Sequence, residues 1–270
     1  MMKNLKLKML DKLKINRGKL VSDGAVSFVM TENCNFLCKH CLRGEKRNVV
    51  ISKEVIDKVL SQVNINGTLH LSGGEPLLAI KEIVYLLSKL EEYGSNPERI
   101  SIITNGSIGS DRFRQFVNAA FKIEGLVLKI MVSNDYYHVQ ERLRLNDNQD
   151  NIIDNLRSYV KVLREYGYSI PEDNYFDMLE NYEGFTNGHG VSAIGKGKNI
   201  LGAEVIEREF KLRKHARIKR GFVRGDFQVQ PDGRITIFKD LSWEERDQHY
   251  DQQYSIHEHP LQRILTSRHL

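Results

Sequence analysis

Residues 25–41 read AVSFVMTENCNFLCKHC, an apolar run followed at once by three closely spaced cysteines. Cys34, Cys38 and Cys41 are the only cysteines in the chain. An odd number of thiols on one short segment cannot form a disulfide framework, because no partner exists elsewhere. Three thiolates this close instead suit an iron–sulfur cluster, in which each thiolate binds one iron. A four-iron cubane would leave one iron without a protein ligand, and chemistry can occur at that open position.

A second motif lies about thirty residues further along the chain. Residues 73–76 read GGEP, and the apolar stretch TLHL at residues 68–71 comes just before them. A CxxxCxxC motif after a first strand, followed by GGEP after a second strand, resembles the radical S-adenosylmethionine (radical SAM) superfamily. The resemblance covers about residues 25–200.

In that superfamily the open iron of a [4Fe-4S] cluster chelates the amino and carboxylate groups of S-adenosylmethionine (SAM). The reduced cluster passes an electron to the sulfonium, the carbon–sulfur bond breaks, and the resulting 5′-deoxyadenosyl radical takes a hydrogen atom from a substrate. The resemblance therefore implies that Cys34, Cys38 and Cys41 are metal ligands and catalytic residues for one [4Fe-4S] cluster, with SAM as cofactor. The alternative is a structural zinc knuckle that adds His40 or His70, although such sites usually take paired ligands from two segments.

The resemblance also assigns cofactor contacts to the loops after the predicted strands, because active residues of parallel barrels lie at the carboxyl ends of the strands. Gly73, Gly74 and Glu75 match the loop whose backbone holds the methionyl ammonium, and two successive glycines allow close approach to a ligand. The side chains of Thr104 and Asn105 match a strand tip that supports the cofactor, although a TNG sequence is also an ordinary turn.

Three further segments match family positions that contact the nucleoside part of SAM. Ser133 and Asp135 match a polar pair that hydrogen-bonds the ribose hydroxyls, and a carboxylate can accept from both vicinal hydroxyls. Asp135 could alternatively cap a helix. His40 stands at a position that is usually aromatic and flanks the adenine, the alternative being an exposed histidine. Ile194 and Lys196 lie in the sequence VSAIGKG, which resembles a late-strand segment whose backbone packs on the adenine.

Apolar periodicity alternates between strand and helix along the chain, which predicts parallel βαβ units. Strands are predicted over residues 25–31, 68–71, 99–104, 126–132 and 185–194, and helices over residues 52–63, 77–93, 110–123 and 151–166. A PDG turn at 231–233 predicts a hairpin between residues 227–230 and 234–238. We expect an α/β fold, a partial (β/α)6 TIM-like barrel of the radical SAM type with a small C-terminal extension. Its expected segments are a basic N-terminal segment (1–24), the barrel (25–225), and a C-terminal hairpin and helix without an auxiliary cluster (226–270).

Composition indicates a globular protein rather than a disordered one, with 270 residues that are 40% hydrophobic and 28% charged, and it agrees with an ordinary enzyme. No uncharged apolar run approaches the roughly 18 residues of a membrane span, and lysines interrupt the N-terminal stretch, so it is not a secretory signal. We therefore expect a cytoplasmic location. The net charge of +5 is concentrated in residues 3–19 and 208–224. These stretches could attract nucleic acid, a phosphorylated substrate or an acidic electron donor, or they could form solvated faces.

The expected function is that of a radical SAM enzyme that cleaves SAM reductively and abstracts a hydrogen atom from a peptide or protein. The preference for a peptide rests on residues 231–238, which resemble the hairpin that opens the cysteine-rich extension of peptide-modifying members. No cysteine follows here, which excludes an auxiliary cluster. The alternatives are a radical SAM enzyme acting on a nucleotide or nucleic acid, and a non-catalytic zinc-binding nucleic-acid module. The reductant is expected to be a flavodoxin- or ferredoxin-type electron donor. We expect truncation near residue 225 to abolish substrate modification but to spare some SAM cleavage.

Overall fold

The structure is a computed structural model that describes residues 18–133, 136–145, 149–168, 217–219, 221–236, 242–250 and 252–266. Its strands are β1 Leu20–Ser22, β2 Ala25–Thr31, β3 Val63–Ile65, β4 Thr68–Gly73, β5 Arg99–Thr104, β6 Val127–Val132, β7 Arg217–Lys219, β8 Phe222–Arg224, β9 Phe227–Val229 and β10 Ile235–Thr236. Its α-helices are α1 Lys53–Leu60, α2 Ile80–Lys89, α3 Ser110–Phe121, α4 Tyr136–Arg144, α5 Gln149–Glu165, α6 Trp243–His249 and α7 Leu261–Thr266, with 3-10 helices at Pro76–Ala79 and Gln252–Tyr254.

The main sheet has six strands in the order β10-β9-β2-β4-β5-β6. Strands β2, β4, β5 and β6 pair in parallel, so their carboxyl ends lie at the same edge of the sheet. This arrangement confirms the predicted α/β fold. The first four predicted strands are found within two residues of their predicted bounds. The strand predicted over residues 185–194 lies outside the described residues.

One face of this sheet packs against helices α1, α2, α3 and α5 in a single hydrophobic core. Side chains that alternate toward the helices, such as Val26, Phe28 and Leu71, are fully buried. The predicted start of α1 is confirmed, because the Ser52 side chain accepts a hydrogen bond from the Val55 backbone N–H at 3.2 Å. The helical layer therefore leaves the carboxyl-end loops and the opposite sheet face available for a site.

A second, four-stranded sheet was not predicted from the sequence. It has the order β3-β1-β8-β7, and β3 begins at Val63, where the helix predicted over 52–63 was expected to continue. Instead α1 ends at Leu60, and β3 pairs in parallel with β1, which lies inside the predicted N-terminal segment. Strands of three residues are too short to produce a recognisable alternation. The helix predicted over 77–93 begins as a 3-10 turn, and its α-helical part ends at Lys89.

The C-terminal hairpin predicted around residues 231–233 is confirmed as the antiparallel pair β9 and β10. Strand β9 also pairs in parallel with β2, with Phe227 opposite Val26. The hairpin therefore extends the main sheet beyond β2. The pairing of β9 with β2 joins the predicted C-terminal extension to the predicted barrel. Among the described helices, none combines the length and apolar character needed to cross a membrane.

Candidate active site

The three cysteines lie on the loop that follows β2 at the carboxyl edge of the main sheet. Cys38 is buried, Cys34 and Cys41 are partly exposed, and none is in a disulfide. Two donors point at the Cys34 sulfur: the Phe36 backbone N–H at 3.4 Å and the Asn105 side-chain amide at 3.8 Å. The Cys41 backbone N–H donates to the Cys38 carbonyl at 3.2 Å, which turns the loop back on itself. The loop thus carries three reduced thiols at the carboxyl edge of the sheet.

The surroundings of Cys34 disfavour a bare thiolate. Burial, with smaller contributions from the nearby Glu75 and Cys41, raises the pKa of the Cys34 thiol to about 11, although the donors on Phe36 and Asn105 oppose the shift. A thiolate at this position requires a strong positive charge beside it. A bound metal cluster supplies such a charge, because coordination deprotonates a thiol outright.

The GGEP loop packs directly on the cysteine loop. The Gly74 backbone N–H donates to the Thr31 carbonyl at 2.8 Å, and the Glu75 N–H donates to the Asn33 carbonyl at 2.9 Å. A Cβ atom on Gly74 would lie 2.3 Å from the Asn33 carbonyl oxygen, and one on Gly73 would lie 2.3 Å from the Thr31 carbonyl oxygen. Both glycines therefore permit backbone of one loop to approach backbone of the other, a reason that the sequence motif did not reveal.

Glu75 connects the GGEP loop to the strand tip after β5. Its carboxylate is fully buried and accepts hydrogen bonds from the Thr104 hydroxyl at 2.9 Å, the Asn105 backbone N–H at 2.7 Å and the Leu77 backbone N–H at 3.0 Å. Burial raises the pKa of this carboxyl to about 7, although all three donors favour the charged form. The side chains of Glu75 and Thr104, predicted separately as cofactor contacts, thus contact each other and fix the spacing of two loops.

Helix α4, which the sequence patterns did not predict, fixes the other side of the cysteine loop. The Glu141 carboxylate accepts from the Leu37 backbone N–H at 2.8 Å. The buried guanidinium of Arg142 donates to the Asn105 carbonyl at 3.0 Å and to the Ser133 carbonyl at 2.9 Å. Sequence patterns did not reveal the roles of Glu141 and Arg142, because the groups that these two residues contact lie in other βα units.

His40 lies in an aromatic cluster with two residues of α4. Its ring stacks on Tyr137 with centroids 4.5 Å apart and meets the edge of His138 at 5.2 Å. Ser133, predicted as a ribose contact, is buried at the end of β6, where its N–H donates to the Thr104 carbonyl at 2.8 Å. The remaining predicted contacts, Asp135, Ile194 and Lys196, lie outside the described residues.

A buried ion-pair network connects the cysteine loop to the C-terminal extension. Arg246 on α6, 3% exposed, forms an ion pair with the buried carboxylate of Glu32, two residues before Cys34. It also donates to Asp247 at 2.9 Å. Burial would raise the pKa of Asp247, but hydrogen bonds from arginines, Arg47 foremost, lower it to about 2. The sequence alone gave no indication of this connection.

The donor set at the loop fits an iron–sulfur cluster in number and chemistry. Three reduced thiols share one loop, and the Asn105 amide is directed at the Cys34 sulfur. A cubane requires thiolates on separate irons rather than around one ion. In the described part of the chain, no three histidine, cysteine, aspartate or glutamate side chains converge to hold a single metal ion. The other histidine considered for a zinc knuckle, His70, lies within β4 and contacts the Ser101 hydroxyl.

Comparisons with known proteins agree with this geometry. The sequence model of one family, the Radical SAM superfamily, matches residues 28–171. A structure described as "Native anSMEcpe with bound AdoMet and Cp18Cys peptide" is 14% identical, with a TM-score of 0.51 over 93% of this chain and 81% of that chain. "Crystal structure of Streptococcus suis SuiB bound to precursor peptide SuiA" is 13% identical, with a TM-score of 0.49 over 98% of this chain and 69% of that chain. No curated protein sequence matches the chain. The first of these structures shares its fold with this chain.

Proposed function

The chain belongs to the radical SAM superfamily of enzymes, and we propose that it uses one [4Fe-4S] cluster and SAM to abstract a hydrogen atom from a peptide or protein. The observation that carries the proposal is the cysteine loop at the carboxyl edge of β2, held by the GGEP loop and by the Asn105 amide. The peptide preference is supported by the β9–β10 hairpin and by the peptide bound in the anSMEcpe structure.

Cys34, Cys38 and Cys41 would hold the cluster, and SAM would bind at its open iron. When bound, cluster and SAM together supply the 5′-deoxyadenosyl radical. The chain contributes the geometry. Glu75 keeps the GGEP loop at a fixed distance from the strand tip at Asn105, so the backbone of the loop is available to the methionyl group. Asn105 donates toward the Cys34 sulfur, which stabilises its negative charge.

The nucleoside part of SAM has its own proposed contacts. His40 would flank the adenine from the aromatic cluster, and Ser133 and Asp135 would bind the ribose hydroxyls. The backbone around Ile194 and Lys196 would complete the adenine site. Asp135→Ala is expected to weaken SAM binding by about 1–3 kcal/mol, as for a lost hydrogen bond to a charged group, and to leave cluster content unchanged. Unchanged affinity in calorimetry would reassign Asp135 to a capping role.

Two further parts of the proposal concern the cellular setting. A flavodoxin- or ferredoxin-type protein would deliver the electron, and the basic stretch at 208–224 would attract such an acidic partner or an acidic substrate. A reducing cytoplasm would preserve the cluster.

Anaerobic purification tests the cofactor assignment. The protein is expected to be brown, to contain about four irons and four sulfides per chain, and to convert SAM into 5′-deoxyadenosine and methionine in the presence of dithionite. Cys38→Ala is expected to lose both properties, because the chain has no spare thiol. Lys39→Ala, within the same motif, serves as the matched control and should retain both. A colourless protein with one zinc would refute the assignment.

The substrate class is tested separately. Candidate substrate peptides, deuterated at their side chains, are incubated with the enzyme, SAM and dithionite. We expect a change in the mass of the peptide and deuterium in the 5′-deoxyadenosine. Modification of an oligonucleotide instead, with no change in any peptide, would replace the peptide by the nucleic-acid alternative.

A further inference from the structure

A row of polar side chains crosses the face of the main sheet that turns away from the helices. The register places its members side by side on neighbouring strands, in the order Thr236, Gln228, Ser27, His70, Ser101 and Lys129. Their neighbours along each strand, such as Phe28 and Ile102, belong to the helix-facing core. Since side chains alternate between the two faces of a strand, the polar row lies on the opposite, inner face.

This polar row lies beneath the candidate active site. His70 and Ser101 precede Gly74 of the GGEP loop and Asn105 of the TNG loop by four residues, and Ser27 precedes Glu32, where the cysteine loop begins, by five. Four residues of strand span about 13 Å. A substrate that enters past the loops therefore meets this row on the floor of the barrel.

Two hydroxyls of the inner face are buried and have no hydrogen-bond partner among the residues that the structure describes. Ser27 Oγ lies in the row and Ser72 Oγ lies one step closer to the loops, and the two residues are 0% and 7% exposed. Buried hydroxyls usually find a hydrogen-bond partner, because an unsatisfied one is costly. Nearby, a short hydrogen bond of 2.5 Å between His70 Nδ1 and Ser101 Oγ fixes the orientation of the imidazole. These groups are arranged to bind a polar ligand.

The charge of the inner face indicates what that ligand is. Lys129, which is exposed, supplies an ammonium group at the β6 end of the row. The inward positions of the described strands of the main sheet carry hydroxyl, amide, imidazole, ammonium and guanidinium groups, together with apolar side chains such as Val29 and Ile103, but no carboxylate. Such a surface favours an anionic ligand, which accepts hydrogen bonds, over a cationic one.

We propose that the polar row Ser27–His70–Ser101–Lys129 binds a carboxylate-bearing side chain of the substrate. The proposal rests on the proposed function and extends it, because it selects acidic peptides among possible substrates. Ser27 would donate a hydrogen bond to the carboxylate, Lys129 would pair with its charge, and Ser101 would hold the His70 ring beside the site. The row is a specificity site, separate from the residues that hold the cluster.

The experiment uses the full chain with its cluster reconstituted and SAM bound. N-acetylglutamate amide is the probe, N-acetylglutamine amide is its neutral match and N-acetyl-leucine amide is the apolar comparison. Dissociation constants are measured by ligand-observed NMR up to the solubility limit of each probe. The glutamate probe is expected to bind about tenfold more tightly than the glutamine probe, as for one charge-assisted hydrogen bond. Equal affinities, or no binding of the glutamate probe, would overturn the proposal.

Variants identify the residues responsible. Lys129→Met is expected to abolish the preference for glutamate, whereas Lys122→Met, which changes an exposed lysine at the end of α3, should keep it. Ser27→Ala is expected to weaken glutamate binding without lowering the melting temperature, because it removes a buried hydroxyl that has no partner in the fold. Retention of the full preference by both Lys129→Met and Ser27→Ala would contradict the assignment.

The same preparations separate this proposal from the function on which it rests. SAM cleavage with dithionite is measured in each of them. Cleavage without any preference for the glutamate probe refutes the carboxylate site alone. A protein that lacks both iron and cleavage refutes the proposed function.

Discussion

Replacement of Arg246 by methionine tests how strongly the C-terminal extension fixes the cysteine loop. The side chains of Arg246 and Glu32 are 3% and 1% exposed, and their ion pair is formed inside the protein. Methionine keeps much of the length of the side chain and its packing against Trp243, so the change mainly removes charge. It leaves the Glu32 carboxylate buried without its main partner, two residues before the first cysteine.

The expected loss of stability follows from the burial of this pair. Removal of one partner of a buried ion pair costs about 3–5 kcal/mol, because the remaining charge stays desolvated. Arg47 lies 3.8 Å from the other Glu32 oxygen and compensates in part, so we expect the lower end, about 3 kcal/mol. Urea unfolding of the cluster-free chain measures this loss. Iron content after reconstitution is expected to fall in parallel, because the Glu32 backbone bonds to Val49 and Arg47 and so shapes the loop.

A second substitution separates charge from packing. In the double variant Glu32→Gln with Arg246→Met, neither charge of this buried pair remains, so much of the stability should return. Arg263→Met, which changes an exposed arginine on α7, is the matched control and should stay near wild type. A loss below about 1 kcal/mol for Arg246→Met would refute the reasoning, since that value is typical of a surface pair. A double variant no more stable than Arg246→Met would refute it as well.

Three further predictions concern the same loops. The structure revises the expectation for a chain that ends at residue 225: it should lose its cluster, and with it SAM cleavage, because β9 and α6 are removed. A folded truncated chain that keeps iron and SAM cleavage would contradict this. Gly74→Ala is expected to lower iron content through a clash with the Asn33 carbonyl, whereas Gly109→Ala, with open space around its Cβ, should not. Burial raises the pKa of Glu75 from 4.5 to about 7, so its contribution to stability is complete below pH 4.5 and is lost as the pH rises through about 7. Urea unfolding of the cluster-free chain should show the free energy of unfolding falling between about pH 4.5 and 7. A free energy that stays constant across this range would contradict the raised pKa of Glu75.

The parallel strands and the motif loops could be predicted because their signals are local. Strands β2 and β5 are buried on the helix side and bounded by turn residues, so their predicted limits match the observed ones closely. The partner of a buried polar group is not a local property. Glu75 was expected to serve the cofactor through its loop, but its carboxylate bonds to the next strand tip at Asn105. Arg142 and Arg246 were missed for the same reason, since each contacts backbone or carboxylate groups distant in sequence.

These distant contacts explain how an irregular segment can hold a cluster. Residues 32–49 contain no helix or strand, so the segment cannot rely on its own backbone for rigidity. It is fixed instead at separate points: by the GGEP backbone near Asn33, by Glu141 at Leu37 and by Arg246 at Glu32. The last contact comes from the C-terminal extension, which the sequence predicted to be needed for substrate modification but not for all SAM cleavage. Because that contact lies two residues before Cys34, the extension belongs to the structural support of the cysteine loop. Changes in α6 should therefore alter cluster retention before they alter substrate choice.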